Sequence, residues 1–126
     1  GDHGPLGGLH AALFHAAHSH VLVVACDMPW LNRPLLEYMV TLGPTADAVV
    51  PRWQKFPEPL HAVYGKQCLE AIELCLKAKR LKVVAFYGKV KVHFVEREAI
   101  TRFDPQGRSF ANVNTPEDLE DALNNR

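Results

Sequence analysis

The sequence predicts an α/β domain spanning residues 1–126, built as a mainly parallel sheet with helices on both faces. Three observations lead there. Short apolar runs alternate with segments of helical spacing, as in strands joined by crossover helices. The run Val21-Leu22-Val23-Val24-Ala25-Cys26 contains no charged residue, as expected of a strand buried on both faces of a sheet. That run stops at Asp27, with Pro29 two residues on. In open α/β sheets the ligand crevice lies beyond the carboxyl ends of the strands, so Asp27 is placed for it.

Each element has its own signal. Gly4, Gly7 and Gly8 make a glycine-rich entry to a helix running from about Leu6 to Ala17. Its buried face is Leu6, Leu9, Ala12, Leu13 and Ala16. After the first strand, Asn32 can cap a second helix with Pro34 in its first turn, ending near Leu42 before Gly43-Pro44. Asp47 to Val50 is a second strand, closed by Pro51, and Arg52 to Pro59 reads as a loop over the sheet edge. Leu60 to Tyr64 is a third strand, and Lys66 to about Ala78 a helix with Cys68 and Cys75 on its apolar side. Leu81 to Tyr87 fits either a strand or a short helix. Val90 to Glu96 alternates as a strand with one face partly wet, and Asp104 to Arg108 is a turn. Thr115-Pro116-Glu117-Asp118 opens a final helix reaching about Leu123.

Composition excludes several classes of function. At 126 residues the chain has room for one core and one domain. Fourteen basic against fourteen acidic residues leave no net charge, so no global field points to nucleic acid or an anionic membrane. The apolar runs fall far short of the ~20 residues a membrane span needs. No basic segment leads into a hydrophobic signal core. The three cysteines form no CxxC pair, which suits a reducing cytoplasm. The basic run Lys77, Lys79, Arg80 and Lys82 reads as a solvated helix end.

The candidate site residues each admit two readings. Asp27 is either a Mg²⁺ ligand, held against phosphate oxygens, or the residue that starts the turn before Pro29. Asn112 and Asn114, two apart in an extended segment, project to one face; they either bind a ligand or shape the turn before Thr115. His61 faces the cleft, where a structural, hydrogen-bonded role is expected. Trp30 and Trp53 either stack on a ligand ring or pack on the sheet rim. His15 and His18 are helical neighbours with no further ligand to complete a zinc site, so they read as surface histidines.

Three segments together resemble the molybdenum cofactor guanylyltransferase (MobA) family: GPLGGL at Gly4–Leu9, CDMP at Cys26–Pro29 and NVNTPEDL at Asn112–Leu119. Glu58 to Tyr64 resembles the segment between the last two. The resemblance implies a nucleotide-diphospho-sugar transferase-like fold and transfer of GMP from GTP to molybdopterin cofactor, with Mg²⁺. It implies Asp27 as the catalytic, metal-binding carboxylate. Asn112 and Asn114 would be cofactor-binding, and Gly4, Pro5 and Leu6 substrate-binding. The family's glycine-rich LxGGxxxRxGxxK loop is absent, so the chain corresponds to the C-terminal two-thirds of such a nucleotidyltransferase. Asp2 lies too close to the GPL segment to take the family's guanine-contacting role. The alternative expectation is a non-catalytic module that binds molybdenum cofactor or nucleotide and self-associates as a homodimer to complete its sheet. A sugar-nucleotide or cytidylyl transferase is the third reading.

Overall fold

The computed structural model describes residues 4–25 and 30–110. Its centre is strand β4 (His61–Gly65), all five residues of which are buried. On one side β4 pairs antiparallel with β1 (His20–Val24), from His20 opposite Gly65 to Val24 opposite His61. On the other it pairs antiparallel with β2 (Ala48–Gln54), through Ala48 with Tyr64 and Val49 with Val63. Strand β5 (Val92–Val95) then lies parallel to β2, with Pro51 opposite Val95. The sheet order is therefore β1-β4-β2-β5. Three strands run one way and β4 runs against them, so the sheet is mixed.

Helices cover both faces. Helix α1 (Gly4–His15), α3 (Leu69–Lys77) and a 3-10 stretch at Val83–Lys89 enclose one core around Leu6, Leu13, Tyr64, Ile72 and Phe86. Helix α2 (Arg33–Leu42) and α4 (Arg97–Thr101) enclose the other, around Leu35, Met39, Val63, Ile100 and Phe110. Alternation along β4 decides which residue serves which core: Ala62 and Tyr64 face the first, Val63 the second. The α2 start matches its sequence signal. The Asn32 side chain accepts from Leu35 N–H at 2.9 Å and donates to the Phe103 carbonyl at 2.7 Å, tying the helix to the 101–110 turn.

Several expectations are revised. β1 is not buried on both faces: no described strand pairs with its outer edge, and Leu22 and Val24 are 39% and 37% exposed. Pro51 does not close β2. Its carbonyl accepts Glu58 N–H, and the strand continues to Gln54 before turning back as β3 (Phe56–Pro57), so the expected 52–59 loop is a hairpin. Proline is tolerated there because its carbonyl still serves the hairpin while the missing N–H is not called on. Of the ambiguous Leu81 to Tyr87 run, Val83 onward forms the 3-10 stretch. Lys66 to Cys68 is likewise a 3-10 turn preceding α3. Cys68 and Cys75 are buried and unbridged; Cys68 donates to the Asp47 carbonyl, and burial pushes its thiol up to about 11. They pack as small hydrophobes, as expected. The Thr115 helix lies outside the described residues. No helix among the described residues is long and apolar enough to cross a membrane.

Two glycines give opposite expectations. Gly107 has φ +64°, and a Cβ there would collide with the Trp53 indole. Gly107→Ala should therefore destabilise by about 2 kcal/mol or more, through both backbone strain and collision. Gly8 lies inside α1 with open space around it, so Gly8→Ala should stabilise by about 0.5–1 kcal/mol. Urea denaturation of the two variants beside the parent checks both signs.

Candidate functional site

The three co-directional strands deliver their carboxyl ends to one rim. β1 ends at Val24, and Ala25 N–H donates to the Leu60 carbonyl at 2.8 Å. β5 ends at Val95, level with Pro51 of β2. Because β4 is reversed, its first residue, His61, reaches that same rim opposite Val24. The rim thus gathers the approach to residues 26–29, the start of β4, the β2–β3 hairpin and the Glu96-Arg97 corner.

Asp27, Asn112 and Asn114 lie outside the described residues, but the residues that flank them are well placed. Val24 pairs with His61, and the Phe110 ring stands edge-on to His61 at 4.9 Å. The chain therefore enters both predicted segments from beside one histidine. The first turn of α1 approaches from the other face. Pro5, Leu9, Val23, Pro59 and Leu60 line an apolar cleft of about 280 Å³. Of the three predicted substrate-binding residues, Pro5 is exposed, Gly4 is half-buried with φ +61° against Leu81, and Leu6 is in the core. Leu6 N–H donates to the Leu81 carbonyl, so this residue anchors the turn.

Sequence reading missed the wall that organises the rim. Asp104 is 6% exposed, and its two oxygens accept the backbone N–H groups of Arg108 (3.1 Å) and Ser109 (2.8 Å). This fixes the turn that carries Gly107 under Trp53 and Phe110 against both Trp53 and His61. A buried aspartate five residues before a serine carries no pattern that separates it from any turn aspartate. Trp53 packs on the sheet rim. Phe110 stacks on its ring at 6.1 Å, and the Arg97 guanidinium lies 4.6 Å from the ring centroid. Trp30 has the Arg108 guanidinium 5.8 Å from its ring.

The charges near the rim are largely committed. Arg52 donates twice to Glu96, at 2.7 and 3.0 Å, and its guanidinium lies over Phe94. Glu58, just before β4, is half-buried, and burial pushes its carboxyl above the usual range. His61 departs from its expected hydrogen-bonded role: it is fully buried, and neither ring nitrogen has a partner among the described residues. No group of three His, Cys, Asp or Glu side chains suited to a metal occurs among the described residues. Mg²⁺ held by one carboxylate and substrate phosphates needs no such cluster.

A mixed α/β sheet with co-directional strands ending at one rim is an architecture that offers a ligand crevice there. Residues 1–91 match the MobA-like NTP transferase domain, and the chain belongs to that family. It is 46% identical over 116 residues to a protein of Pelotomaculum thermopropionicum named probable molybdenum cofactor guanylyltransferase. That alignment covers 92% of this chain and 57% of the relative. A molybdenum cofactor guanylyltransferase of Desulfosudis oleivorans is 38% identical over 94% of this chain and 59% of its own length. The crystal structure of molybdopterin-guanine dinucleotide biosynthesis protein A from Archaeoglobus fulgidus matches with a TM-score of 0.81 and 32% identity. That match covers 94% of this chain and 60% of the other. The chain spans about three-fifths of the length of the relatives it matches.

Burial of His61 has a consequence in pH. Desolvation lowers its pKa below the ordinary 6.5, while a backbone contact of His61 itself and the Asp104 carboxylate push the other way without overcoming it. The neutral ring gives its full contribution above 6.5. As pH falls below that value the unfolded chain takes up a proton that the folded chain refuses, and stability declines until the folded pKa is reached. His61→Phe should therefore shrink the drop in thermal midpoint on going from pH ~7.5 to ~5.5. An equal drop in parent and variant would mean that the ring is not desolvated.

Proposed function

We propose that this chain forms the acceptor side of a molybdenum cofactor guanylyltransferase site, where GMP passes from GTP to the phosphate of molybdopterin cofactor. The observation that carries this reading is the convergence of β1, the start of β4 and Phe110 on one rim, in a chain of the MobA-like family. The attacking group is an ionised phosphate, so the reaction asks for positioning and for neutralisation of two approaching anions rather than a strong base. In this reading Asp27 extends from β1 as the Mg²⁺ ligand. Mg²⁺, when bound, supplies charge neutralisation between the phosphates. Asn112 and Asn114 hold the pterin side, where an amide offers both donors and an acceptor. Gly4 and Pro5 bring the α1 turn to the opposite face of the rim, and Leu6 anchors that turn.

Calorimetry on the intact chain tests the reading. Titrated molybdopterin cofactor should bind the parent, and Asn112→Ala with Asn114→Ala should weaken that binding at least about tenfold, the loss of one or two hydrogen bonds. Mg-GTP binding should disappear in Asp27→Ala. Failure of the parent to bind molybdopterin cofactor would sink the proposal.

One observation favours a second reading, a cofactor- or nucleotide-binding module completed by a second copy. The outer edge of β1 pairs with no described strand, and Leu22 and Val24 stay over a third exposed beside it. Sedimentation equilibrium distinguishes the two. A dimer that Leu22→Lys dissociates supports self-completion, and a monomer at all concentrations removes it.

A further inference from the structure

The two faces of β1 are covered unequally. Val21 and Val23 pack against the core formed with α1 and α3. Leu22 and Val24 point to the opposite face, where Leu22 lies opposite Val63 and Val24 opposite His61. On β4 that face is closed. Val63 is buried within the α2–α4 core, and the Phe110 ring stands against His61. On β1 it is open, with Leu22 and Val24 both more than a third exposed. The result is a narrow apolar strip, one strand wide, that begins at the rim. The chain leaves the described residues beside the head of this strip, since Phe110 touches His61 and His61 pairs with Val24. Residues 111–126 follow from there.

We propose that residues 115–123 dock as a helix on this strip, covering Leu22 and Val24 with Leu119 and Leu123 of the same chain. Thr115-Pro116 carries the start signal of a helix, and Leu119, Ala122 and Leu123 recur at i, i+3 and i+4. That stripe is as narrow as the strip it would cover. Glu117, Glu120 and Asp121 fall on the other sides, toward water. Leu119 and Leu123 stand about 6 Å apart along a helix axis. Leu22 and Val24 stand about 6.6 Å apart along a strand, so the two pairs match in spacing. Residues 111–114 span about 13 Å when extended, enough to pass from Phe110 over His61 to the rim end of β1. The helix then descends from Val24 toward Leu22. A tether this short holds the stripe at an effective concentration in the millimolar range, so the chain's own segment fills the strip ahead of a second copy. Residues 111–114 are thereby fixed at both ends, one at Phe110 and one on β1. The strip is a face of β1, distinct from its unpaired outer edge, and the dock does not depend on the guanylyltransferase reading.

The test is NMR of the full chain with ¹³C-labelled leucine and valine methyl groups. The Leu119 and Leu123 methyls should show nuclear Overhauser effects to those of Val24 and Leu22. In a mixture of labelled and unlabelled chains, isotope-filtered spectra should show no such effect between molecules. A double-mutant cycle gives a second readout. Leu22→Ala and Leu123→Ala should each lower the thermal midpoint. The double variant should fall by less than the two drops together, because either change alone already removes their contact. Glu120→Ala, on the water side, should leave the midpoint in place. Leu119 and Leu123 methyls with no Overhauser effect to β1 would overturn the proposal, as would additive drops in the cycle. Effects seen only between molecules would assign the strip to a second copy and overturn it equally.

Discussion

The reversed strand β4 is the constraint on which the rest of the molecule depends. It pairs antiparallel with a strand on each side, β1 and β2, and every residue in it is buried. Its alternation divides the interior: Tyr64 goes to the α1–α3 side and Val63 to the α2–α4 side. Its direction divides function from scaffold. A parallel strand here would have sent Gly65 to the carboxyl rim and buried His61 at the far end. Running backwards, it puts Pro59, Leu60 and His61 beside Ala25, where the first predicted ligand segment begins.

Other polar groups along β4 are hydrogen-bonded. The Tyr64 hydroxyl donates to the Pro59 carbonyl and pairs with the Tyr87 hydroxyl, and burial pushes both phenols well above their usual range. Gly65 N–H donates to the Asp47 carbonyl, and Asp47 in turn binds Lys91 through backbone and carboxylate. These bonds pair the Tyr64 and Tyr87 hydroxyls and the Gly65 N–H. The rim is the contrast. Asp104 is fully employed in holding its turn, yet the histidine and serine beside it are not.

The elements were legible wherever local chemistry decides them. Asn32 caps α2 and Pro34 sits in its first turn, as the residues say. Leu6, Leu9 and Leu13 are the buried stripe of α1. The alternation of β5 was partly misleading, because Val95, on the supposedly wet side, is buried under the α2–α4 layer. Strand direction was not legible at all. A five-residue apolar run reads the same in a parallel or antiparallel pairing, and nothing in Leu60 to Tyr64 says which way its neighbours point. The hairpin after Pro51 was hidden for a related reason: a proline suggests the end of a strand unless its carbonyl is known to be used. Family motifs marked Asp27, Asn112 and Asn114, which lie outside the described residues, whereas Asp104, Ser109 and Trp53 are assembled at the rim only by tertiary contact.

The contrast between the paired Tyr64 and Tyr87 hydroxyls and the unpaired His61 ring bears on what kind of surface the rim is. A fold that satisfies Tyr64, Tyr87 and Asp47 with care does not lack the means to satisfy His61; an apolar residue of similar volume would fit against Phe110 at lower cost. Natural sequences break such local rules mostly at functional positions, where the lost stability is offset elsewhere in the core. Here the offset is visible. Phe110, held by Trp53, Gly107 and the Asp104 turn, supplies enough packing to keep an unpaired imidazole buried. The stable wall and the unsatisfied ring are thus two halves of one arrangement: the packing of the wall offsets the cost of burying the ring.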